Sequence, residues 1–593
     1  MHLSSSQWAA VRWSLLVLTL STYADAAAIP QAAQPTDDPR SQLVAPTDGL
    51  AYFDMAQRAS DLLKREQWAG AESLLREITR AYPLDGSSWA QLGSALRHQN
   101  KHAEAITAYE KAMAIVGPGL PYAGPSNNIY WIAASHAALG QTDAALDALH
   151  QMVDNDRYVQ RPDLLTDPNF ASLRSDPRFL ALAGKVDVSQ MDRVQGWRRD
   201  IDYLGEELER SNPAGAIIDP EFFARQKALK AAVPTLDDQH IVAGMGRMMS
   251  ALQRGHTALW LGDPSAPSKM DYRPMPIRLY VFPEGLFITQ GLQGHEDLAG
   301  AQVLKFGRVD ASDMLRRVAA MQSRASAMES LWVSPDLLVE PGVLKGLDGA
   351  ERSDKAQLTL KLPDGTTVEK TLDVIATPPR AKLNAPPRAA PPLFLRDTQK
   401  AHWLEPLPAH DAVYAQVNSI ADDDGETMEQ FGLHLRRVID EGKPHNLILD
   451  LRHNNGGNTF RYSELLRTLV AFSTLEGNKV YVLIGRDVYS AACNLSTDIE
   501  RIVKPVFVGE PTSCTGNQWG DESTFVLPYS GLTGAFSGAR WQLSHPWDQR
   551  RSIVPQVPVQ LTAAAYFRGE DPALGAVYRL IDAGAAKRQA PAH

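Results

Sequence analysis

Between Asn446 and Gly520 three short apolar runs each end in a loop of small residues, and few folds accommodate that pattern. Leu447-Ile448-Leu449 leads into Asp450-Leu451-Arg452-His453-Asn454-Asn455-Gly456-Gly457. Val480 to Ile484 leads to Tyr489-Ser490-Ala491-Ala492-Cys493 and then a helical pattern through Ile502; Pro505 to Val508 ends at Gly509-Glu510-Pro511-Thr512. The pattern reads as strand, glycine loop, helix, strand, sharp turn, helix, strand, which is two crossover units side by side. Runs without polar alternation suit a sheet covered on both faces. In such sheets ligands gather beyond the carboxyl ends of the strands.

The chemistry that fits this end of the sheet is acyl transfer. Ser490 stands between a strand end and the first turn of a helix, where its hydroxyl is exposed and developing negative charge is favoured. Gly456 and Gly457 would let backbone N–H groups come close to a substrate carbonyl, as an oxyanion hole requires. A plainer reading makes Ser490 a helix N-cap and the two glycines a turn, since these residues commonly do both jobs.

Taken together, Asp450-Leu451-Arg452-x-Asn454-x-Gly456-Gly457, then Ser490-Ala491-Ala492, then Val508-Gly509-Glu510-Pro511-Thr512 resemble the core of the C-terminal processing and tricorn-type serine peptidases. Gly520-Asp521, Leu527 to Leu532 and Ile553-Val554-Pro555 through Asp571-Pro572 resemble closing segments of the same family, so the likeness spans roughly residues 187–582. It implies a crotonase-like core with Ser490 as nucleophile and an oxyanion hole of the Gly456, Gly457 and Ala491 amides. It also implies a base. Processing peptidases place a lysine after Gly-Glu-Pro-Thr, where this chain has Thr515 and no lysine nearby. Tricorn-like relatives use the histidine of an Asp-Gly-His-Thr segment, matched here by Gly255-His256-Thr257 with Arg254 in place of the Asp. An imidazole can take the serine proton and return it to the leaving amine. Asp548 is the candidate third member, one residue out of step with the family's acid, and His453 in the glycine loop is a rival base.

The net charge of −10 over 593 residues, with no basic block, speaks against nucleic acid as a partner. Met1 to Ala26 has the pattern of a secretory signal: Arg12, an apolar run from Leu15 to Leu20, then Ala24-Asp25-Ala26. No later segment is long and apolar enough to span a bilayer. Export makes pairing of the only two cysteines, Cys493 and Cys514, an expectation. Cys493 lies one helical turn past Ser490, so a bridge would brace the nucleophile turn.

Ahead of the core, aligning Ala71, Ala105 and Ala145 yields helix pairs near residues 52–85, 86–119 and 126–159. Trp89, Leu92, Gly93, Leu96, Ala105, Tyr109 and Ala112 fall where tetratricopeptide repeats place packing residues. The expected organisation is a signal peptide (1–26), a linker (27–48), repeats with a helical cap (49–184) and a helical subdomain carrying His256 (187–270). A PDZ-like β-rich module (271–378) follows, then the crotonase-like core (393–582) and a flexible tail (583–593). The fold class is therefore multidomain α/β: α-solenoid repeats, helical subdomain, PDZ-like module and α/β core. Asp422-Asp423-Asp424 lacks calcium-loop spacing and reads as a solvated turn.

The function expected is an exported serine endopeptidase with peptide or unfolded protein as substrate, a protein partner on the repeats, and no metal or organic cofactor. The alternative is a catalytically silent protein on the same scaffold that binds peptide, lipid or protein. A purely architectural repeat protein comes third.

Overall fold

The computed structural model describes residues 49–116, 128–155, 161–213, 216–262, 268–376 and 391–589. The expected signal peptide, the linker after it and most of the proline-rich segment 378–392 lie outside these. No helix among the described residues is long and apolar enough to cross a membrane. The chain divides into two compact units, residues 1–119 with 125–135, and residues 120–124 with 136–593.

The first unit contains antiparallel helix pairs. Gly49–Lys64 is followed by Trp68–Ala81, and Gly86–His98 by His102–Val116. Small residues set the spacing within a pair: a Cβ on Gly93 would lie 2.7 Å from the Tyr109 ring. Asp85 caps the third helix, accepting from the Ser88 amide, and also receives the Tyr52 hydroxyl.

The second unit is built on three sheets. The first has six strands in the order Val557–Pro558, Val506–Gly509, Lys479–Ile484, Asn446–Asp450, Ala412–Val417 and His402–Leu407. The first five run parallel and the last is antiparallel. Helices Met428–Gly442, Ser463–Ser473 and Ala491–Ile502 connect successive parallel strands. The central strands are buried along their whole length, which is why they read as unbroken apolar runs.

A second sheet carries strands Ile277–Phe282, Gly285–Gly291, Gln302–Phe306, Lys355–Lys361 and Thr367–Asp373, all antiparallel, with Val309–Asp310 paired to the third of these. This sheet lies within residues 271–378, the span expected as a β-rich module. The span also holds helices Ala327–Leu338 and Pro341–Gly346, absent from the sequence reading. Pro335 inside the first of these disguises a helix that Ser326 nonetheless caps, accepting from the Glu329 amide.

The third sheet is small and joins distant segments: Ala258–Trp260, Thr533–Arg540 and Trp519–Val526, antiparallel throughout. The turn linking its two long strands docks on the helical subdomain. Buried Asp200, on helix Arg193–Ser211, accepts from the Tyr529 and Ser530 amides at 2.7 and 2.9 Å. At Gly196 a Cβ would lie 2.1 Å from the Tyr529 ring, so that helix surface must be bare.

One expectation about the terminus is corrected. The last helix, Pro572–Gln589, extends through most of the segment 583–593 expected as a flexible tail. Ala583, Ala585 and Ala586 are strong helix formers and continue the preceding turns.

Candidate active site

The strand Lys479–Ile484 delivers Ser490 to the N-terminus of helix Ala491–Ile502. Ser490 has φ 54° and ψ −126°, and its hydroxyl makes no capping bond. A non-glycine residue with positive φ is held there by its surroundings, an arrangement that recurs at active sites. Gln518 contributes to that hold, donating to the Ser490 carbonyl at 2.8 Å and to Asn494 Oδ1 at 2.9 Å.

The neighbouring strand ends in the glycine loop. Gly456 (φ 117°) presses against the serine, where a Cβ would come within 2.7 Å of Ser490 Cβ and 3.2 Å of the Ala491 nitrogen. Gly457 (φ 131°) runs beside Ile420, with which it forms a parallel bridge. Of the three amides expected to line an oxyanion hole, that of Gly456 is already committed, donating to Asn454 Oδ1 at 3.0 Å. The Asn454 side chain reaches forward two residues to form a local turn. The N–H groups of Gly457 and Ala491 have no hydrogen-bond acceptor among the described residues.

The base of this loop is fixed by a buried charge cluster. Arg452 bonds the carboxylates of both Asp450 and Asp571, each through more than one N–H, and Tyr414 donates to Asp450. Burial works to raise the Asp450 carboxyl, but the Arg452 charge and the hydrogen bonds outweigh it and hold the group below the ordinary carboxylate range. The same two carboxylates keep the Arg452 guanidinium firmly protonated despite its burial.

His256 reaches the same neighbourhood from the far side of the chain. It lies in the turn before strand Ala258–Trp260, and its amide donates to the Tyr489 hydroxyl at 2.6 Å. Its imidazole stacks on the Tyr489 ring, centroids 4.6 Å apart. Tyr489 immediately precedes Ser490, so the histidine is packed against the turn that carries Ser490. Nδ1 of His256 is 3.0 Å from Glu522 Oε1, while Nε2 is buried with no hydrogen-bond partner. An imidazole with one nitrogen on a carboxylate and the other open is set up to accept a proton at the open one.

Asp548 does not fill the place expected of it. Its carboxylate accepts from the Ser544 hydroxyl and from Arg550, which also grips Glu500. Those hydrogen bonds, Arg550 first, hold Asp548 far below the ordinary range. The carboxylate that meets His256 is Glu522, a residue the sequence reading passed over. His453, the rival base, is buried face-on against Phe394, and it lines a separate cavity with Arg452, Arg486 and Glu510. Arg254 is buried too, donating to Asn212 and to the Ile217 carbonyl and lying over the Trp519 ring.

Cys493 and Cys514 are joined, with α-carbons 5.8 Å apart. The bridge ties the first turn of the Ser490 helix to the loop after strand Val506–Gly509. Beside that helix an open groove of about 600 Å³ is lined by Phe460, Leu466, Val470, Asp498 and Ile502 among others. Among the described residues no cluster of histidine, cysteine and carboxylate side chains could hold a metal ion.

Residues 57–121 match a tetratricopeptide repeat model. No curated protein matches the chain. Solved structures with a similar architecture include mature CPAF, at a TM-score of 0.48 and 12% identity, covering 67% of this chain and 99% of that one. The photosystem II D1 C-terminal processing protease is similar at a TM-score of 0.31 and 13% identity, over 64% of this chain and 98% of its own. The tricorn protease is similar at 0.30 and 11%, over 66% and 37%. Likeness at this level does not decide chemistry, which rests on the side chains.

Proposed function

We propose that this chain is an exported serine endopeptidase acting on peptides or unfolded protein segments. One observation carries the reading. His256 is bound by a carboxylate at Nδ1 and open at Nε2, and it is stacked on the residue next to a serine whose hydroxyl is not spent as a helix cap.

In this reading the Ser490 oxygen attacks the substrate carbonyl and its proton passes to Nε2 of His256. Glu522 holds the ring in the tautomer that leaves Nε2 free to accept, then stabilises the imidazolium. The oxygen of the tetrahedral adduct is stabilised by the Gly457 and Ala491 N–H groups, assisted by the helix N-terminus behind Ala491. When the C–N bond breaks, His256 returns the proton to the leaving amine, and an acyl ester remains on Ser490. Water, deprotonated by the same imidazole, releases the acid. The repeats would gather a protein substrate or partner.

A serine-directed fluorophosphonate tests this. Wild-type protein should be labelled at Ser490, Ser490→Ala should not, and His256→Ala should label far more slowly. A folded wild-type protein that takes up no label leaves a binding protein on a peptidase-like scaffold as the better reading.

A further inference from the structure

The turn that carries His256 is held by more than its own sequence prefers. His256 has φ 57°, a left-handed conformation that a non-glycine residue adopts at a cost and that persists only where neighbours impose it. What imposes it is the Tyr489 hydroxyl, which accepts the His256 N–H at 2.6 Å. An acceptor of an amide proton is free to donate its own, and the Glu329 carboxylate lies near enough to act on the phenol by its charge, both groups flanking Gly255. Burial raises the phenol well above its ordinary range, so that proton stays on the oxygen.

Glu329 belongs to the β-rich module, in the first turn of helix Ala327–Leu338, and is 1% exposed. Its Oε2 accepts from the Ala325 amide at 2.7 Å, and Arg324 lies 3.8 Å from its Oε1. Trp332, one turn further along, packs on the Tyr489 ring at 5.2 Å. The residue between Arg254 and His256 must be bare for this to assemble. At Gly255 a Cβ would lie 2.7 Å from the Tyr489 hydroxyl and 3.5 Å from Glu329 Oε1.

The geometry points to Glu329 and Tyr489 as positioning residues, a buried carboxylate–phenol pair through which the module's helix fixes the His256 turn and thereby the imidazole beside Ser490. Neither touches substrate; both act through His256. The inference rests on His256 being the base, but the positioning itself is measurable without catalysis.

The test uses the full chain and two readouts. Diethyl pyrocarbonate modification of His256, followed by peptide mass spectrometry, reports how firmly the buried ring is held. Fluorophosphonate labelling of Ser490 reports reactivity. In Tyr489→Phe and Glu329→Ala, the His256 modification rate should rise about tenfold as the turn opens locally. Labelling of Ser490 should fall about tenfold or more as the base loses its place. Glu329→Gln keeps an oxygen for the phenol and should restore both rates to near wild type. The Tyr489→Phe/Glu329→Ala double variant should be no worse than Tyr489→Phe, as members of one chain are not additive. Wild-type rates in both Tyr489→Phe and Glu329→Ala would overturn the proposal, as would Glu329→Gln behaving like Glu329→Ala. If wild-type protein is never labelled, the peptidase reading fails, and the His256 modification rates alone decide the positioning claim.

Discussion

His256 and Glu522 meet across the small three-stranded sheet, Nδ1 to Oε1 at 3.0 Å, because the sheet's register brings their segments level. Ala258 pairs with Ala535 on the middle strand, and Glu522 pairs with Ser537 on its other side. Two positions back from Ala258, His256 therefore falls in the row of Ser537 and Glu522. Thr257 locks the register, its hydroxyl accepting from the Ser537 amide at 3.0 Å. Replacing Glu522 with Gln leaves an acceptor for Nδ1 but removes the charge that stabilises the imidazolium. Fluorophosphonate labelling should then fall roughly 10⁴-fold, in line with removal of an orienting acid elsewhere. Asp548→Asn, by contrast, should label within roughly threefold of wild type, since it disturbs only a surface ion-pair network.

How far the sequence anticipated this site follows from the distance over which each interaction acts. Ser490 and the two glycines were legible because strand, turn and helix signals are local and each residue sits where one ends. The repeat helices were legible for the same reason, through small residues such as Gly93 at fixed spacing. Glu522 was not legible, because its role depends on the register of a sheet assembled from segments hundreds of residues apart. In its own strand it is only one exposed position in an alternating run. Asp548 lay nearer the expected place in the chain, but Arg550, two residues on, claims its carboxylate. The Gly456 amide was likewise claimed locally, by the Asn454 side chain, which composition alone does not reveal.

Gly457 should be the more sensitive of the two loop glycines for a backbone reason. A Cβ there would lie 2.2 Å from the Ile420 carbonyl oxygen, a backbone atom that cannot swing aside, and φ 131° is closed to other residues. Gly457→Ala should therefore shift the loop and remove one of two N–H donors. Loss of such a donor costs about 10²–10³-fold in rate. Labelling kinetics beside a thermal melt would separate that loss from general unfolding.

The Cys493–Cys514 bridge closes a loop of 21 positions next to Ser490. By loop-closure entropy it should stabilise the fold by about 3 kcal/mol. Replacing both cysteines with Ala, or adding reductant, should lower the melting temperature and shift the urea midpoint accordingly. Single replacements should match the double one, because either breaks the same bond. A midpoint that ignores reductant would show that the helix is held by its packing alone.

The Asp450–Arg452–Asp571 cluster should give the fold a recognisable acid limit. The folded Asp450 carboxyl lies below its unfolded value, so ionised Asp450 contributes stability that is fully present above the unfolded carboxylate pKa of about 3.9. That contribution declines as pH falls below this value and is gone once the pH passes the lower, folded value. Asp450→Asn removes it at every pH and leaves Arg452 buried with Asp571 as its remaining carboxylate partner. Such a change should cost about 3–5 kcal/mol near neutral pH. The gap between wild type and variant in urea denaturation should narrow steadily as pH is lowered from about 4. A gap that stays constant across that range would mean the cluster contributes through packing and not through its charge.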